Sequence, residues 1–305
     1  MPITETQRQN RMKHLGGSDI PILFGLNRFK SLADLYLEKT GQLEEQSEQS
    51  EAMLAGTLFE DGVIQYAESK LGKIRRNQYR SAKDLPIGSN IDGILIETGE
   101  PVEIKVEGLF WKLRDGWGDE NTDQVPYDVI LQAHAHMLCQ EADACHIAAF
   151  LGGRGFRMYK IIRDIEVEQR IKEVATDFWI NHVLTGIPPQ HNLPSIDTLA
   201  RVKRQPESTV EIDDNLVSVW LAAVESRKLS EKAEETAKAA LLAAFGQAEA
   251  ATCKVGLVTY LEQSRRGIDT KKFKQEQPEL AVKYETITTH RKLNFKKTET
   301  ENENQ

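Results

Sequence analysis

The stretch Ile91 to Lys105, IDGILIETGEPVEIK, holds three side chains suited to phosphoryl chemistry. Asp92 sits in one short apolar run. Glu103 and Lys105 sit in the next, and Thr98, Gly99 and Glu100 turn the chain between them. Val102 to Val106 alternates with the period of a strand, so Glu103 and Lys105 point to one face and a hairpin returns Asp92 beside them. Two carboxylates can hold a hard divalent cation such as Mg²⁺, which takes oxygen ligands and keeps waters that a phosphate can replace. The lysine can orient a metal-bound water, help to deprotonate it, and offset charge building on phosphorus. The same order of charges also occurs on solvated surface hairpins, so the rest of the chain has to be weighed with it.

A second cluster lies in HLGGSDIPILFGLNRF. Gly16 and Gly17 allow a close backbone approach. Ser18 reads as the cap of the short apolar helix that follows, and its hydroxyl with the first amides there suits an anion, which Arg11 could close over. An ordinary cap after a glycine turn fits the same residues. Glu60 lies beside the apolar stripe of a helix, either at its solvent boundary or as a third acid. In the irregular run EGLFWKLRDGWGDENTDQVP, Trp111, Lys112 and Arg114 suit stacking and phosphate contacts, although Phe110 and Trp111 could equally anchor the loop to the core. Loops of this length are uncommon unless functional.

The elements that position these residues follow from periodicity. Residues 1–13 read as a polar helix and Leu32 to Lys39 as a second. Met53 to Leu71 is amphipathic, with Leu54, Leu58, Phe59, Val63, Ile64, Tyr66, Ala67 and Leu71 in one stripe. Ile74 to Arg80 reads as a strand. Pro126 opens a helix to Gln140, with Gln132 near one edge of its apolar face. His134 and His136, two apart, face different ways and make poor joint ligands. His146 to Leu151 and Phe156 to Ile162 form a strand pair, and Ile165 to Thr185 a helix stopped by Gly186 and two prolines. Asp213 to Gln247 is a long charged, alanine-rich helix. Lys254 to Gln263 and Ala281 to Phe295 alternate as strands, with a short helix at Asp269 to Gln277 between them.

With 305 residues, 40% of them hydrophobic, the chain can build one large core or a core plus an appendage. The net charge of −8 argues against a protein that coats nucleic acid without specificity, but not against a local basic groove. The polar start is no signal peptide, and the longest apolar runs cannot span a bilayer. A cytoplasmic protein is therefore expected. Cys139, Cys145 and Cys253 lack a CxxC pair and read as reduced thiols in or near the core. The acidic linker at Glu44 to Glu51 and the acidic tail at Glu299 to Gln305 read as solvated and mobile.

Taken in order, RxxxxxxS at Arg11 to Ser18, GxxxE at Gly56 to Glu60, IDG at Asp92, EIK at Glu103 to Lys105 and VILQAHAHM around Gln132 resemble the YqaJ-type phage recombinases. These are similar to lambda-type exonucleases within the PD-(D/E)XK nuclease superfamily. The resemblance covers about Arg8 to Gln190. Ile91 stands where the superfamily name has proline.

The resemblance implies an α/β (α+β) fold with a restriction-endonuclease-like core, a central mixed sheet flanked by helices. It implies that Asp92, Glu103 and the Ile104 carbonyl bind Mg²⁺, with Mn²⁺ able to stand in, and that Lys105 acts on the attacking water. Glu60 would complete the site, and Gln132 would position the water or the lysine. Arg11 and Ser18 would hold a 5′-terminal phosphate. The expected activity is 5′–3′ digestion of one strand from duplex DNA ends, leaving 3′ single strand for an annealing partner. A trimeric ring and a phage or prophage origin in a bacterial host are implied too. An endonuclease on the same core and a catalytically idle recombination scaffold are the rivals. The expected organisation is a nuclease core at 1–190, a linker at 191–208, a helical arm with a small α+β appendage at 209–296, and a disordered acidic tail at 297–305.

Overall fold

A computed structural model describes residues 5–44, 51–109, 112–190, 192–286 and 292–295. The chain divides into two compact units, 1–204 and 205–305.

The first unit begins with α1 (Glu5–Lys13), a single 3₁₀ turn at Gly17–Asp19, and the short α2 (Ile20–Leu23). Next come α3 (Leu32–Lys39) and α4 (Glu51–Leu71), then strands β1 (Ile74–Ser81), β2 (Gly88–Leu95) and β3 (Pro101–Glu107). After the loop come α5 (Tyr127–Gln140), β4 (Ala144–Leu151), β5 (Gly155–Ile162), α6 (Ile165–Phe178) and α7 (Ile196–Ala200). Ser31 caps α3 by accepting from the Asp34 amide at 3.1 Å while Asp34 returns a bond to the Ser31 amide, a reciprocal capping box.

The five strands lie in sequence order, and only β3 and β4 are parallel. A parallel pair needs a crossover, and α5 is that crossover. On one face, Val63, Ile64 and Ala67 of α4 pack on Val102, Ile104 and Ala148. On the other, Val129, Ala133 and Met137 of α5 pack on Cys145, Ile147 and Ala149. Alternation along β3 therefore turns Glu103 and Lys105 toward α5.

The α4 stripe is only half buried. Val63, Ile64 and Ala67 are covered, whereas Leu54, Leu58 and Phe59 stay 48%, 69% and 44% exposed. Only the C-terminal half of this helix lies on the sheet. Residues 192–204, expected as linker, also pack on the first unit: the Ser195 amide donates to Asp34 at 2.8 Å, and Val202 bridges Leu43.

The second unit comprises α8 (Asp214–Phe245), a two-stranded hairpin of β6 (Ala250–Cys253) and β7 (Gly256–Thr259), α9 (Thr270–Glu276) and α10 (Pro278–Lys283). The strand expected from Ala281 begins inside α10 instead, where Pro278 opens a helix, and residues 292–295 form no strand. In place of the single strand expected over Lys254 to Gln263, a short hairpin turns at Cys253 to Gly256. Phe245 is the only buried residue of this unit among the described residues, so Cys253 is exposed rather than in a core. The expected acidic tail at 297–305 and the acidic run at 45–50 lie outside the described residues.

Candidate active site

The β2–β3 ladder is short. Only Gly93 with Val102 and Ile94 with Pro101 are paired. Beyond Gly93 the strands part, and the Asp92 side chain takes the place of the missing ladder bond: its Oδ2 accepts from the Ile104 amide at 2.8 Å. Gly93 is required by packing, since a Cβ there would collide with Ile74.

Glu103 is 3% exposed, and both its oxygens are engaged. Oε1 accepts from Lys105 Nζ and from Gln132 Nε2, each at 2.7 Å. Lys105 also donates to Gln132 Oε1 at 2.7 Å, closing a triangle. Oε2 lies 2.6 Å from His136 Nε2. Gln132 and His136 are one helical turn apart, so one face of α5 grips both oxygens. Burial alone would raise the Glu103 pKa, but Lys105 and His136 outweigh it and bring the carboxyl down to about 2.

The neighbouring acids behave differently. Burial first, and then the charge of Glu103, push Asp92 well above the usual carboxylate range, against the pull of the Ile104 amide and Lys105. Glu60, on α4, is raised chiefly by burial, with Glu103 adding to it. For Lys105, burial opposes the charge but Glu103 wins, so the ammonium is held above its ordinary pKa. In this arrangement the lysine is a fixed cation and hydrogen-bond donor.

The donor set fits Mg²⁺ of the kind bound through one or two carboxylates together with substrate phosphates. Asp92 and Glu103 are hard oxygen donors whose mutual repulsion a cation would offset. It is not a preformed cage: among the described residues no three His, Cys, Asp or Glu side chains gather as a ligand cluster.

The amino-terminal cluster is built otherwise than expected. Ser18 lies inside the 3₁₀ turn, and Asp19 makes the cap-like bond, accepting from the Gly16 amide at 2.8 Å. Lys39, almost fully buried, pairs with Asp19 at 2.6 Å and donates to the Arg11 and His14 carbonyls at 2.8 and 2.9 Å. The turn is thus pinned from α3, with Arg11 and Ser18 both exposed.

Arg114, at the lining of a cleft, is paired with two acids of the protein itself. It forms a bidentate pair with Glu107 at 2.6 and 2.8 Å and a second pair with Asp128 at 2.7 Å. Trp117 is 6% exposed and donates to Glu107 at 3.1 Å, so this aromatic anchors the loop to the core. Trp111 lies outside the described residues. Lys112 is exposed and, with Arg28, Phe29, Gly56 and Gly108, lines a cleft of about 390 Å³ that reaches Lys105.

Sequence reasoning missed His136 and Arg28. His136 lies four positions after Gln132, so once Gln132 is placed at the site the helical repeat places His136 there too. Arg28 had no comparable signal.

Residues 8–143 match the model of the YqaJ-like viral recombinase domain, a stretch that takes in every residue of the site. Among curated proteins, the uncharacterized protein YqaJ of Bacillus subtilis (strain 168) is 34% identical over 182 residues, 59% of this chain and 56% of the relative. The chain thus spans little more than half the length of that relative. Among solved structures, the alkaline exonuclease of Laribacter hongkongensis, also solved with dAMP, is 17% identical with a TM-score of 0.47 over 60% of this chain and 94% of that one. A phage-related exonuclease from Haemophilus somnus 129PT is 13% identical with a TM-score of 0.39 over 58% and 99%. The stretch that resembles the YqaJ-like viral recombinase domain is thus the part of the chain that builds the site. Among the described residues no helix is long and apolar enough to cross a membrane.

Proposed function

We propose that the first unit is a Mg²⁺-dependent deoxyribonuclease that digests one strand of duplex DNA from a 5′ end and leaves 3′ single strand for an annealing partner. The observation that carries this reading is the ionised, fully engaged Glu103 beside an Asp92 whose charge is disfavoured, with Lys105 fixed between Glu103 and Gln132. Such a pair gains from a divalent cation, which would supply Lewis-acid polarisation of a phosphate and an activated water.

Asp92 and Glu103, with the Ile104 carbonyl, would hold the ion, and Glu60 would add negative charge at the same point. Lys105 donates a hydrogen bond and a positive charge where charge develops on phosphorus. Gln132 fixes the lysine. Arg28 and Lys112 supply cations along the cleft for the backbone of the strand, and exposed Arg11 and Ser18 would take a terminal phosphate. A ring-shaped trimer and a bacterial cytoplasmic setting of phage origin belong to the same reading. The test is incubation of linear and circular duplex with Mg²⁺. Loss of linear DNA alone supports the exonuclease, cutting of both favours an endonuclease on this core, and loss of neither leaves a scaffold.

A further inference from the structure

A buried line of hydrogen bonds runs from the glycine turn to the site. The Gly17 amide donates to Ser89 Oγ at 3.1 Å. Ser89 Oγ lies 2.8 Å from His136 Nδ1, and His136 Nε2 lies 2.6 Å from Glu103 Oε2. Ser89 and His136 are both 0% exposed. One proton arrangement satisfies every atom. Ser89 accepts from Gly17 and gives its own proton to Nδ1, and the imidazole gives its Nε2 proton to the ionised carboxylate. That order fixes the tautomer, and with it the ring plane that meets Glu103. The line is also tightly packed. A Cβ on Gly17 would stand 2.5 Å from Ser89 Oγ and 2.9 Å from His136 Cε1.

We infer that His136 is a positioning residue for Glu103, held in its working orientation by Ser89 and, through it, by the backbone of Gly17. The inference rests on the reading of Asp92 and Glu103 as a cation site. Partners one step behind a ligand orient it, and their loss typically lowers metal affinity or activity by about 10–100-fold. Gly17 touches neither the cation pair nor the cleft. A Cβ there would press on Ser89 and on the His136 ring itself, and the ring carries the effect to Glu103.

The test is Mn²⁺ binding to the full chain without DNA, by titration calorimetry, alongside thermal melting. His136→Leu fills the space without a donor and is expected to weaken Mn²⁺ binding by about 10–100-fold. His136→Gln, whose amide can still donate to Glu103, is expected to stay within about threefold of wild type, and Gly17→Ala to weaken binding about tenfold or more. Ser89→Ala, which frees the ring but leaves the Glu103 bond, should fall between Gln and Leu at position 136. Folded His136→Leu and Gly17→Ala proteins that bind Mn²⁺ as wild type does would overturn the inference. Should Gly17→Ala or His136→Leu fail to fold, the Gln and Ser89→Ala pair decides it: equal wild-type affinity in both overturns the inference, and the ordered loss supports it. A wild type that binds Mn²⁺ with this pattern yet cleaves no DNA would refute the nuclease reading alone. A wild type that binds no Mn²⁺ refutes both.

Discussion

Asp92 and Ile104 are joined across the opening between β2 and β3, the Asp92 Oδ2 accepting from the Ile104 amide at 2.8 Å. This bond holds the half-buried carboxylate beside Glu103. The price is a charge that the fold disfavours. Asp92→Asn keeps an acceptor for Ile104 and removes the charge. At neutral pH the metal-free variant is expected to melt higher than wild type, by about 2–4 °C for each kcal/mol recovered, while cleavage is lost. A variant that melts lower, or still cleaves, would refute the assignment.

The two acids have opposite pH signatures. Glu103 titrates near 2 in the folded protein, below its ordinary value of 4.5. Its contribution to stability is present above about 4.5 and is lost as pH falls from there through 2. Asp92 is raised, so the folded state binds its proton more tightly than the unfolded chain does. Its contribution is favourable in acid and is lost as pH rises above the ordinary carboxylate range. Melting curves taken across pH should therefore lose part of their acid-side fall in Glu103→Gln. In Asp92→Asn they should lose part of their decline toward neutrality. Superimposable profiles for the variants and wild type would contradict both assignments.

Lys105 is wedged between Glu103 and Gln132. Lys105→Ala is expected to slow turnover by about 10²–10³-fold, as is typical when one preorganised donor to a developing charge is removed. Lys105→Arg should not restore it, because a planar fork cannot replace a compact ammonium that bonds both neighbours in a closed triangle. Full recovery in steady-state assays of the arginine variant would reduce the lysine to a mere positive charge.

Lys112 and Arg114 are neighbours in sequence with different fates. Lys112→Ala should lower the slope of log affinity for duplex against log salt by about one. Arg114→Ala should leave that slope alone and lower stability instead, since it strands Glu107 and Asp128. The reverse pattern in salt-dependent binding curves would return Arg114 to the DNA surface.

Lys39 and Asp19 pin the turn that carries Ser18. Lys39→Met leaves Asp19 without its partner and should cost about 3–5 kcal/mol in urea unfolding; a loss under about 1 kcal/mol would mean that water reaches the pair.

The hairpin acids and Lys105 were legible because the strand period translates spacing directly into a shared face, whereas only the resemblance brought Gln132 to them. The glycine turn was only half legible. The residue that organises it, Lys39, comes from a separate helix, and its pairing with Asp19 is a tertiary contact that no local pattern announces. The pairing of Arg114 was not legible, because a basic residue in a loop looks the same whether it faces a phosphate or two internal acids. The strand expected from Ala281 failed for a local reason: alternation over a few residues competes poorly with a proline that starts a helix.

The crossover has a consequence for how the site comes into being. A fragment ending at Glu107 contains Glu60, Asp92, Glu103 and Lys105, yet leaves Glu103 Oε2 without His136 and Lys105 without Gln132. During synthesis these acids leave the ribosome well before α5, so the nascent chain holds the reactive groups without the helix that arms them. Maturation of the site thus waits on the docking of a single helix, and on the proposed reading a chain whose α5 has not yet docked would be unable to cut.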